Sequence, residues 1–352
     1  MRVRAQVVLF ILAILTTSCK DFVYVGDAKV EVESPECVAC VTRDLTFPGY
    51  FREVQDPADL QIVSDSLLVI QDHASTMDPK ELCFKVYSCR TFEYLGSFVR
   101  VGRGPNEVLS PEIAHVGPGE DFLYIIDRER VFWLDVPNIM SGQTEALTID
   151  GRLPKDTFLG FVMPGVGTLA LKVEKNEMVV HVLDSEGEGV MMLHPYAGIR
   201  IDFTQTKMSS LAVTDRESGK AAVFMVCLPM MTLLDTKKGT AWSYASDRSI
   251  RNWHSVLKAP FGPSSIQYYS GAACGGGLLL ALYNGCSIAE LAGNNVGGHI
   301  HIFDWTGRFL YDLCVQEDIW RLAYDSLSHA LYGLERSTGK IIRYDLTDIL
   351  AR

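Results

Sequence analysis

The chain has 352 residues, of which 48% are apolar and 21% are charged, and its formal net charge is −11 at pH 7. This balance supplies enough apolar side chains for a substantial core and excludes an intrinsically disordered chain. The acidic charge and the absence of a Lys- and Arg-rich cluster exclude a nucleic-acid-binding protein, because phosphate-backbone binding requires clustered cations.

The N-terminus has the pattern of an export signal. Arg2 and Arg4 precede an apolar run, Val7 to Leu15, which is too short to cross a bilayer as a helix. Residues 1–18 are therefore predicted to be a signal peptide. Small polar residues then lead into Cys19, and this arrangement resembles the lipobox of bacterial lipoproteins, whose cysteine carries the lipid. The resemblance implies lipidation of Cys19, and ordinary secretion with cleavage nearby is the alternative.

Nine cysteines are present, and an exported chain can oxidise them. Cys227 and Cys314 lie in apolar strands and are predicted to belong to the core. Three other pairs are close in sequence and are candidate disulfides, with free buried thiols as the alternative, because pairing cannot be deduced from spacing alone. These candidate pairs are Cys37 with Cys40, Cys83 with Cys89, and Cys274 with Cys286.

Residues 19–36 are predicted to combine a lipid tether with one strand. Lys29 to Glu33 (KVEVE) alternates polar and apolar side chains, which is the period of a half-buried strand. Asp44 to Asp59 contains Pro and Gly and is predicted to be a loop. Residues 37–352 are predicted to form one repeated domain.

The remainder of the chain repeats a unit of short strands. Its clearest copy runs from Gly298 to Leu313, where two alternating strands flank the turn Asp304 to Gly307. The unit occurs in six copies, mostly 40 to 50 residues apart, and long helical patterns are missing. This pattern predicts an all-β chain that forms a six-bladed β-propeller of four-stranded antiparallel blades. The third strands of the six copies end at a polar residue and are Phe84–Ser88, Val131–Asp135, Val180–Asp184, Met231–Asp235, His301–Asp304 and Ile341–Asp345.

The last predicted blade is one strand short. Leu134 to Met140 and Tyr344 to Leu350 follow the same pattern, but a fourth strand comes only after the first of them. An open sheet edge tends to associate with other strands. We therefore expect the N-terminal KVEVE strand to complete the last blade and close the ring.

One segment between blades resembles a known family. Val101 to Glu107 (VGRGPNE) is similar to the Gly-rich turn after the first blade of the TolB-like six-bladed β-propeller lipoproteins of Bacteroidetes, although Asn106 stands where that family usually has Gly. The resemblance implies the propeller fold, a lipid anchor and a place in the cell envelope, as an outer-membrane lipoprotein that is periplasmic or surface-exposed. It implies little about chemistry, since one fold carries many functions.

Local motifs do not define a catalytic centre. Gly102-x-Gly104 lacks the third Gly and the following helix of a dinucleotide site and is interpreted as a turn. His299 and His301 share a strand face, where two accessible polar residues are favoured over a metal site. The polar ends of the six third strands are interpreted as turn caps rather than general acids. No cofactor and no metal are predicted.

Several side chains are weaker candidates for a binding site. Trp305, Trp320 and Tyr324 could stack on a sugar or peptide, although packing in the core is favoured. His73 lies in a polar loop and is interpreted as solvated.

The anchor, the repeats and the lack of a catalytic motif together predict a lipid-anchored, exported, non-catalytic binding or scaffold protein that uses a propeller face. Its expected contacts are the membrane, through the N-terminal lipid, and a protein or carbohydrate partner. The alternative is a propeller hydrolase or lyase with a channel metal or paired carboxylates, whose groups would come from several blades.

Overall fold

The computed structural model describes residues 21–76, 78, 80–117, 121–143, 147–200, 208–293 and 297–351. The predicted signal peptide and Cys19 lie outside the described residues. No helix within these ranges is long and apolar enough to cross a membrane. Three strands precede the blades, namely β1 (Asp21–Val25), β2 (Ala28–Val32) and β3 (Cys37–Cys40).

The remaining strands form six sheets, which are the blades of a six-bladed β-propeller and confirm the predicted fold. Consecutive strands of a blade pair antiparallel, and β8 adds to blade one in parallel. Blade one contains β4 (Pro57–Val63), β5 (Leu67–Asp72), β6 (Leu82–Ser88), β7 (Tyr94–Val101) and β8 (Glu107–Val108). Blade two contains β9 (Pro111–Ile113), β10 (Phe122–Asp127), β11 (Arg130–Asp135) and β12 (Thr148–Arg152). Blade three contains β13 (Thr157–Met163), β14 (Gly167–Glu174), β15 (Glu177–Leu183) and β16 (Gly189–Leu193).

The second half of the ring continues the same order. Blade four contains β17 (Ser210–Asp215), β18 (Lys220–Met225), β19 (Met230–Asp235) and β20 (Thr240–Ala245). Blade five contains β21 (Ile266–Gly275), β22 (Leu278–Ser287), β23 (His299–Asp304) and β24 (Phe309–Cys314). Blade six contains β25 (Ile319–Asp325), β26 (Ala330–Glu335) and β27 (Ile341–Asp345). Short α-helices lie outside the blades, at α1 (Val136–Met140), α2 (Trp253–Lys258), α3 (Ile288–Gly293) and α4 (Thr347–Leu350).

Each pair of neighbouring blades buries its own apolar cluster. The faces of blades one and two share a cluster around Phe84 and Leu123, and those of blades four and five share one around Phe224 and Phe303. The other four clusters fill the remaining interfaces, including the one between blade six and blade one. Because burial of apolar area drives this packing, the six interfaces close the ring, with first strands such as β25 and β4 in contact at the axis.

The predicted turn caps are confirmed. The side-chain oxygen of the polar residue that ends each third strand accepts hydrogen bonds from backbone amides of the next turn. Asp304, for example, accepts from the amides of Thr306 at 2.7 Å and Arg308 at 3.2 Å. These side-chain oxygens therefore hold the turns in place, as in Asx and ST turns. The six capping residues are Ser88, Asp135, Asp184, Asp235, Asp304 and Asp345.

The predicted turn at Gly102 and Gly104 is also confirmed. The amide of Gly104 donates to the Glu107 carboxylate at 2.5 Å. This carboxylate lies so close to Gly102 that a Cβ atom at that position would be 2.0 Å from it. The glycines are therefore required by the close approach of Glu107, and the segment links blade one to blade two.

The expected position of the KVEVE strand is wrong. β2 pairs in parallel with β20, with Val30 opposite Ser243, so the hairpin β1–β2 extends the outer edge of blade four. Val25 and Val30 are fully buried in the cluster between blades three and four. The two valines find their apolar contacts there, which explains why the strand docks on that edge rather than on blade six.

Blade six is instead completed by a later part of the N-terminal segment. Arg43 forms an antiparallel bridge with Tyr344 on β27. Asp44 accepts from the Arg343 guanidinium at 2.7 Å, and its amide donates to the Arg343 carbonyl at the same distance. Phe47 then packs between blades six and one. The ring is thus closed by residues 41–51, which we call the closing segment.

Candidate functional site

The central channel contains a cavity of about 590 Å³. The first strands of the blades line it, since their alternate side chains point to the axis while the others enter the clusters between blades. Along β4, for example, Asp59 and Gln61 are half-buried toward the channel and Leu60 and Ile62 are core residues. The polar residues lining the cavity are Asp59, Gln71, His73, Ser110, Glu112, His115, Ser210, Gln267, Ser270 and Arg321.

A hydrogen-bonded group at the wall joins three blades. His115, which follows β9, places Nε2 3.1 Å from Asp59 Oδ2 and Nδ1 3.0 Å from Gln61 Oε1. The Gln61 amide nitrogen donates to the Val116 carbonyl at 2.6 Å, which fixes the orientation of this side chain with its oxygen toward the ring. Arg321 on β25 places Nε 3.6 Å from the same Asp59 oxygen. We call Asp59, Gln61, His115 and Arg321 the channel cluster.

The electrostatics of Asp59 are dominated by its two basic neighbours. Burial alone raises the pKa of a carboxyl group. The charge and hydrogen bond of His115, together with the charge of Arg321, outweigh that effect, so the pKa of Asp59 lies below its ordinary value. Asp59 is therefore an ionised acceptor at neutral pH. The Asp59 carboxylate and the Gln61 amide oxygen each lie opposite one ring nitrogen of His115, so the ring is held between two acceptors.

Arg321 is held in a fixed orientation. Its guanidinium lies 4.3 Å from the centroid of the Trp320 ring, a cation–π contact. Nη1 donates to the carbonyl oxygens of Ser270 at 2.9 Å and Trp320 at 3.2 Å. One third of the Arg321 side chain remains exposed, at 33%. The arrangement presents an oriented cation at the cavity.

The cluster is arranged to bind and orient a ligand. Both ring nitrogens of His115 are engaged with Asp59 and Gln61, so neither is free for proton abstraction. Among the described residues, no group of three or more His, Cys, Asp or Glu side chains could hold a metal ion. The geometry therefore favours ionic and hydrogen-bonding recognition.

The aromatic and histidine candidates from the sequence are dispersed. Trp320 borders the cavity and supports Arg321, whereas Tyr324 is buried and its hydroxyl lies 3.1 Å from His329 Nδ1. Trp305 packs beside the cluster between blades four and five. His73 is exposed, as expected, and lies at the edge of the cavity.

His299 and His301 do not share an accessible surface. His299 Nδ1 lies 2.8 Å from Asp312, but His301 is only 4% exposed and stacks on Tyr283 with 4.2 Å between ring centroids. Burial lowers the pKa of His301 to about 3, whereas the hydrogen bond to Asp312 raises the pKa of His299. The interpretation of both rings as accessible polar groups is wrong for His301, which is a neutral core residue of blade five.

The strand registers separate the members of the three predicted cysteine pairs, and all eight described cysteines are thiols. Cys37 and Cys40 occupy the two ends of β3, where three extended residues span about 10 Å. A disulfide needs Cα atoms about 4.4–6.8 Å apart. The remaining pairs are separated by the length of a strand or hairpin: Cys83 and Cys89 lie at opposite ends of β6, while Cys274 is opposite Leu279 and Cys286 is opposite Gln267.

Cys227 is buried, as predicted. Cys314 is not a core residue, because it lies half-exposed on the outermost strand of blade five, next to β3.

Comparison with known proteins supports the fold. The chain is similar to a candidate exported protein from Bacteroides fragilis NCTC 9343, with 11% sequence identity, a TM-score of 0.50, and coverage of 89% of this chain and 98% of that one. It also resembles U3-55K, with 9% identity, a TM-score of 0.46, and coverage of 87% and 100%. No family model and no curated protein matches the chain. At such identities the first likeness shows the fold alone: this is a six-bladed β-propeller.

Proposed function

We propose that this chain is an exported, non-catalytic binding protein that takes a carboxylate-bearing ligand in the channel cavity. The observation that carries the proposal is the Arg321 guanidinium, which is oriented by Trp320 and the Ser270 carbonyl and faces the cavity. A guanidinium held in this way suits a carboxylate, because its Nη2 group remains to donate charge-assisted hydrogen bonds to the ligand.

The cavity offers this ligand class one fixed cation, beside the carboxylates of Asp59 and Glu112. Arg321 is the only Lys or Arg among the described residues that line the cavity, in a chain of net charge −11. Asp59 faces Nε and two backbone carbonyls face Nη1, so the ligand would bind at Nη2. The Gln267 amide and Ser270 hydroxyl are further lining groups for the polar part of a ligand.

The alternative, a propeller hydrolase or lyase, has less support from the channel. Paired carboxylates would need a second carboxyl group beside Asp59, whereas the charged side chains that contact Asp59 are His115 and Arg321. Both ring nitrogens of His115 are already engaged with Asp59 and Gln61. Binding without chemical conversion is therefore the function that the channel cluster favours.

A ligand panel tests the proposal. Titration calorimetry with short peptides that have a free C-terminal carboxylate, with small dicarboxylic acids, and with uronic acids should detect binding to the wild-type chain. Neutral oligosaccharides and amidated peptides serve as matched ligands without the carboxylate. We expect Arg321→Gln to weaken carboxylate binding about 10–100-fold, because a charge-assisted contact is worth about 1.5–3 kcal/mol.

Arg248→Gln is the control variant, since Arg248 is 79% exposed on the outside of the ring. Carboxylate binding that is unchanged in Arg321→Gln, or binding of neutral sugars alone, would contradict the proposed ligand class. Turnover of a bound compound would favour the hydrolase or lyase instead.

We further propose that Cys19 is lipidated and that the protein is an envelope lipoprotein of the TolB-like propeller type, anchored at the outer membrane. The apolar run before Cys19 and the turn at Val101 to Glu107 support this assignment. Metabolic labelling with an alkynyl fatty acid should label the wild-type chain and leave Cys19→Ala unlabelled. Cys227→Ala, at a buried thiol, is the control, and equal labelling of Cys19→Ala would refute the anchor.

A further inference from the structure

Two cysteines that are far apart in sequence lie side by side at the outer edge of blade five. β3 runs parallel to β24, and Cys40 is the register partner of Cys314. The amide of Val41 donates to the Cys314 carbonyl at 3.1 Å, so the pairing extends to the end of β3. Register partners on adjacent strands point to the same face, and their backbones are about 4.8 Å apart.

The geometry of this pair meets the requirements for a covalent bond. The strand separation falls within the range of about 4.4–6.8 Å between Cα atoms that disulfides adopt. Burial and the neighbouring Cys40 thiol raise the pKa of Cys314. Cys40 is exposed and Cys314 is half-exposed, so an oxidant can reach them. Cys37 is opposite Tyr311 and is not a competing partner by register.

A metal site is a weaker explanation for the same side chains. His299 Nδ1 lies 3.9 Å from Cys314 Sγ, but this nitrogen already contacts Asp312 at 2.8 Å. Within the described part of the chain, no set of three or more metal-ligating side chains is arranged to hold an ion.

We propose that Cys40 and Cys314 form an intramolecular disulfide in the exported protein. The oxidant is a disulfide, either oxidised glutathione or the active-site disulfide of a thiol–disulfide oxidoreductase. The exposed Cys40 thiolate attacks one sulfur of that disulfide, which forms a mixed disulfide and releases one thiol. Cys314 then displaces the second thiol, so that the protein loses two electrons and two protons and the oxidant is reduced to two thiols.

The bond would fasten the closing segment to the ring. β3 is a four-residue edge strand that leads directly into Arg43 and Phe47, which seal blade six against blade one. β3 is also attached to blade five by parallel backbone pairing and by the packing of Ala39, and Glu36 before it forms an ion pair with Arg308. A covalent link at Cys40 keeps this segment in position beside the seam and closes a loop of blades one to five, which restricts the unfolded chain.

Peptide mapping tests the inference. The full chain is exported to the periplasm of an expression host, free thiols are blocked with N-ethylmaleimide at lysis, and peptides are analysed without reduction. We expect one linked pair of peptides that contains Cys40 and Cys314. Cys37→Ser, on the same strand, should retain the link, and Cys40→Ser should leave Cys314 blocked by the reagent.

Thermal unfolding supplies an independent readout. Reduction should lower the Tm of the wild-type chain and of Cys37→Ser by about 5 °C and should not change that of Cys40→Ser. Incubation of the reduced chain with oxidised glutathione should restore the linked peptides and the Tm. The proposal would be overturned if N-ethylmaleimide blocked both Cys40 and Cys314 in the exported chain and again after this incubation. A link from Cys314 to Cys37 would also overturn it.

Discussion

Replacing Phe47 by Ala is expected to lower the free energy of unfolding by about 3–4 kcal/mol. Phe47 is 8% exposed and contacts Phe92 and Tyr332, with ring centroids 4.9 Å and 5.8 Å away. These rings belong to blade one and blade six, so the substitution leaves a cavity at the seam of the propeller. Urea unfolding, followed by tryptophan fluorescence, measures the change.

Leu45→Ala is the matched control for this substitution. Leu45 lies two residues away in the closing segment and is 80% exposed, so its truncation should cost less than about 0.5 kcal/mol. If Phe47→Ala were as mild as Leu45→Ala, the closing segment would not be part of the ring's core. In that case the packing described between blades six and one would be wrong.

Acidification is expected to destabilise the protein through His301, by about 4 kcal/mol in total between pH 6.5 and pH 3. Burial lowers the pKa of His301 to about 3, while the unfolded ring has its ordinary value near 6.5. Between these values the unfolded chain binds a proton that the folded chain does not. The contribution of the neutral ring to the free energy of unfolding is therefore fully present above about pH 6.5 and is lost as the pH falls toward 3.

The surroundings of His301 show why it remains neutral. The ring stacks on Tyr283 and lies 4.7 Å from Phe309, and Tyr269 also faces it. Asp312 at 3.8 Å and the charge of Asp247 raise its pKa, His299 lowers it, and burial exceeds all of these effects. His301→Phe keeps an aromatic ring there and removes the titration. Urea unfolding at successive pH values should then show a slope smaller by about 1.4 kcal/mol per pH unit.

His299→Gln is the control for the pH experiment, because its pKa shifts in the opposite direction. The hydrogen bond to Asp312 raises the pKa of His299, so its contribution is present below the ordinary value near 6.5 and is lost as the pH rises through the folded value. Its removal should flatten the acid limb less than His301→Phe does, because His299 acts on that limb only through the lowered pKa of Asp312 and a small effect on the pKa of His301. An acid limb of equal slope in His301→Phe and wild type would show that His301 is not the group responsible.

The sequence predicts the repeated architecture well because each blade is specified locally. Alternating strands that end in capping residues such as Asp304 and Asp345 need only their own turns to form. Six such units can bury their faces only against one another, which produces the ring. The position of β2 is not predictable in this way, since alternation identifies an edge strand without specifying which edge has room for Val30.

The channel cluster depends on the closed ring and therefore leaves little trace in the sequence. Asp59, His115 and Arg321 come from blades one, two and six and meet only because their strands face one axis. One local signal does exist: β4 alternates Asp59 and Gln61 with core residues, which marks a polar channel face. Likewise, the register that places Cys40 opposite Cys314 depends on the parallel docking of β3, and this docking has no local signature in the sequence.

The binding site is tested most directly by a crystal structure of the protein with a carboxylate ligand selected by the binding panel. We expect density for the ligand in the channel cavity, with its carboxylate against the Arg321 guanidinium. A second cavity of about 480 Å³ lies at the rim, between blade three and the outer edge of blade four, and includes Trp242 and Lys29. Ligand density at that rim with an empty channel would contradict the assignment of the channel as the binding site.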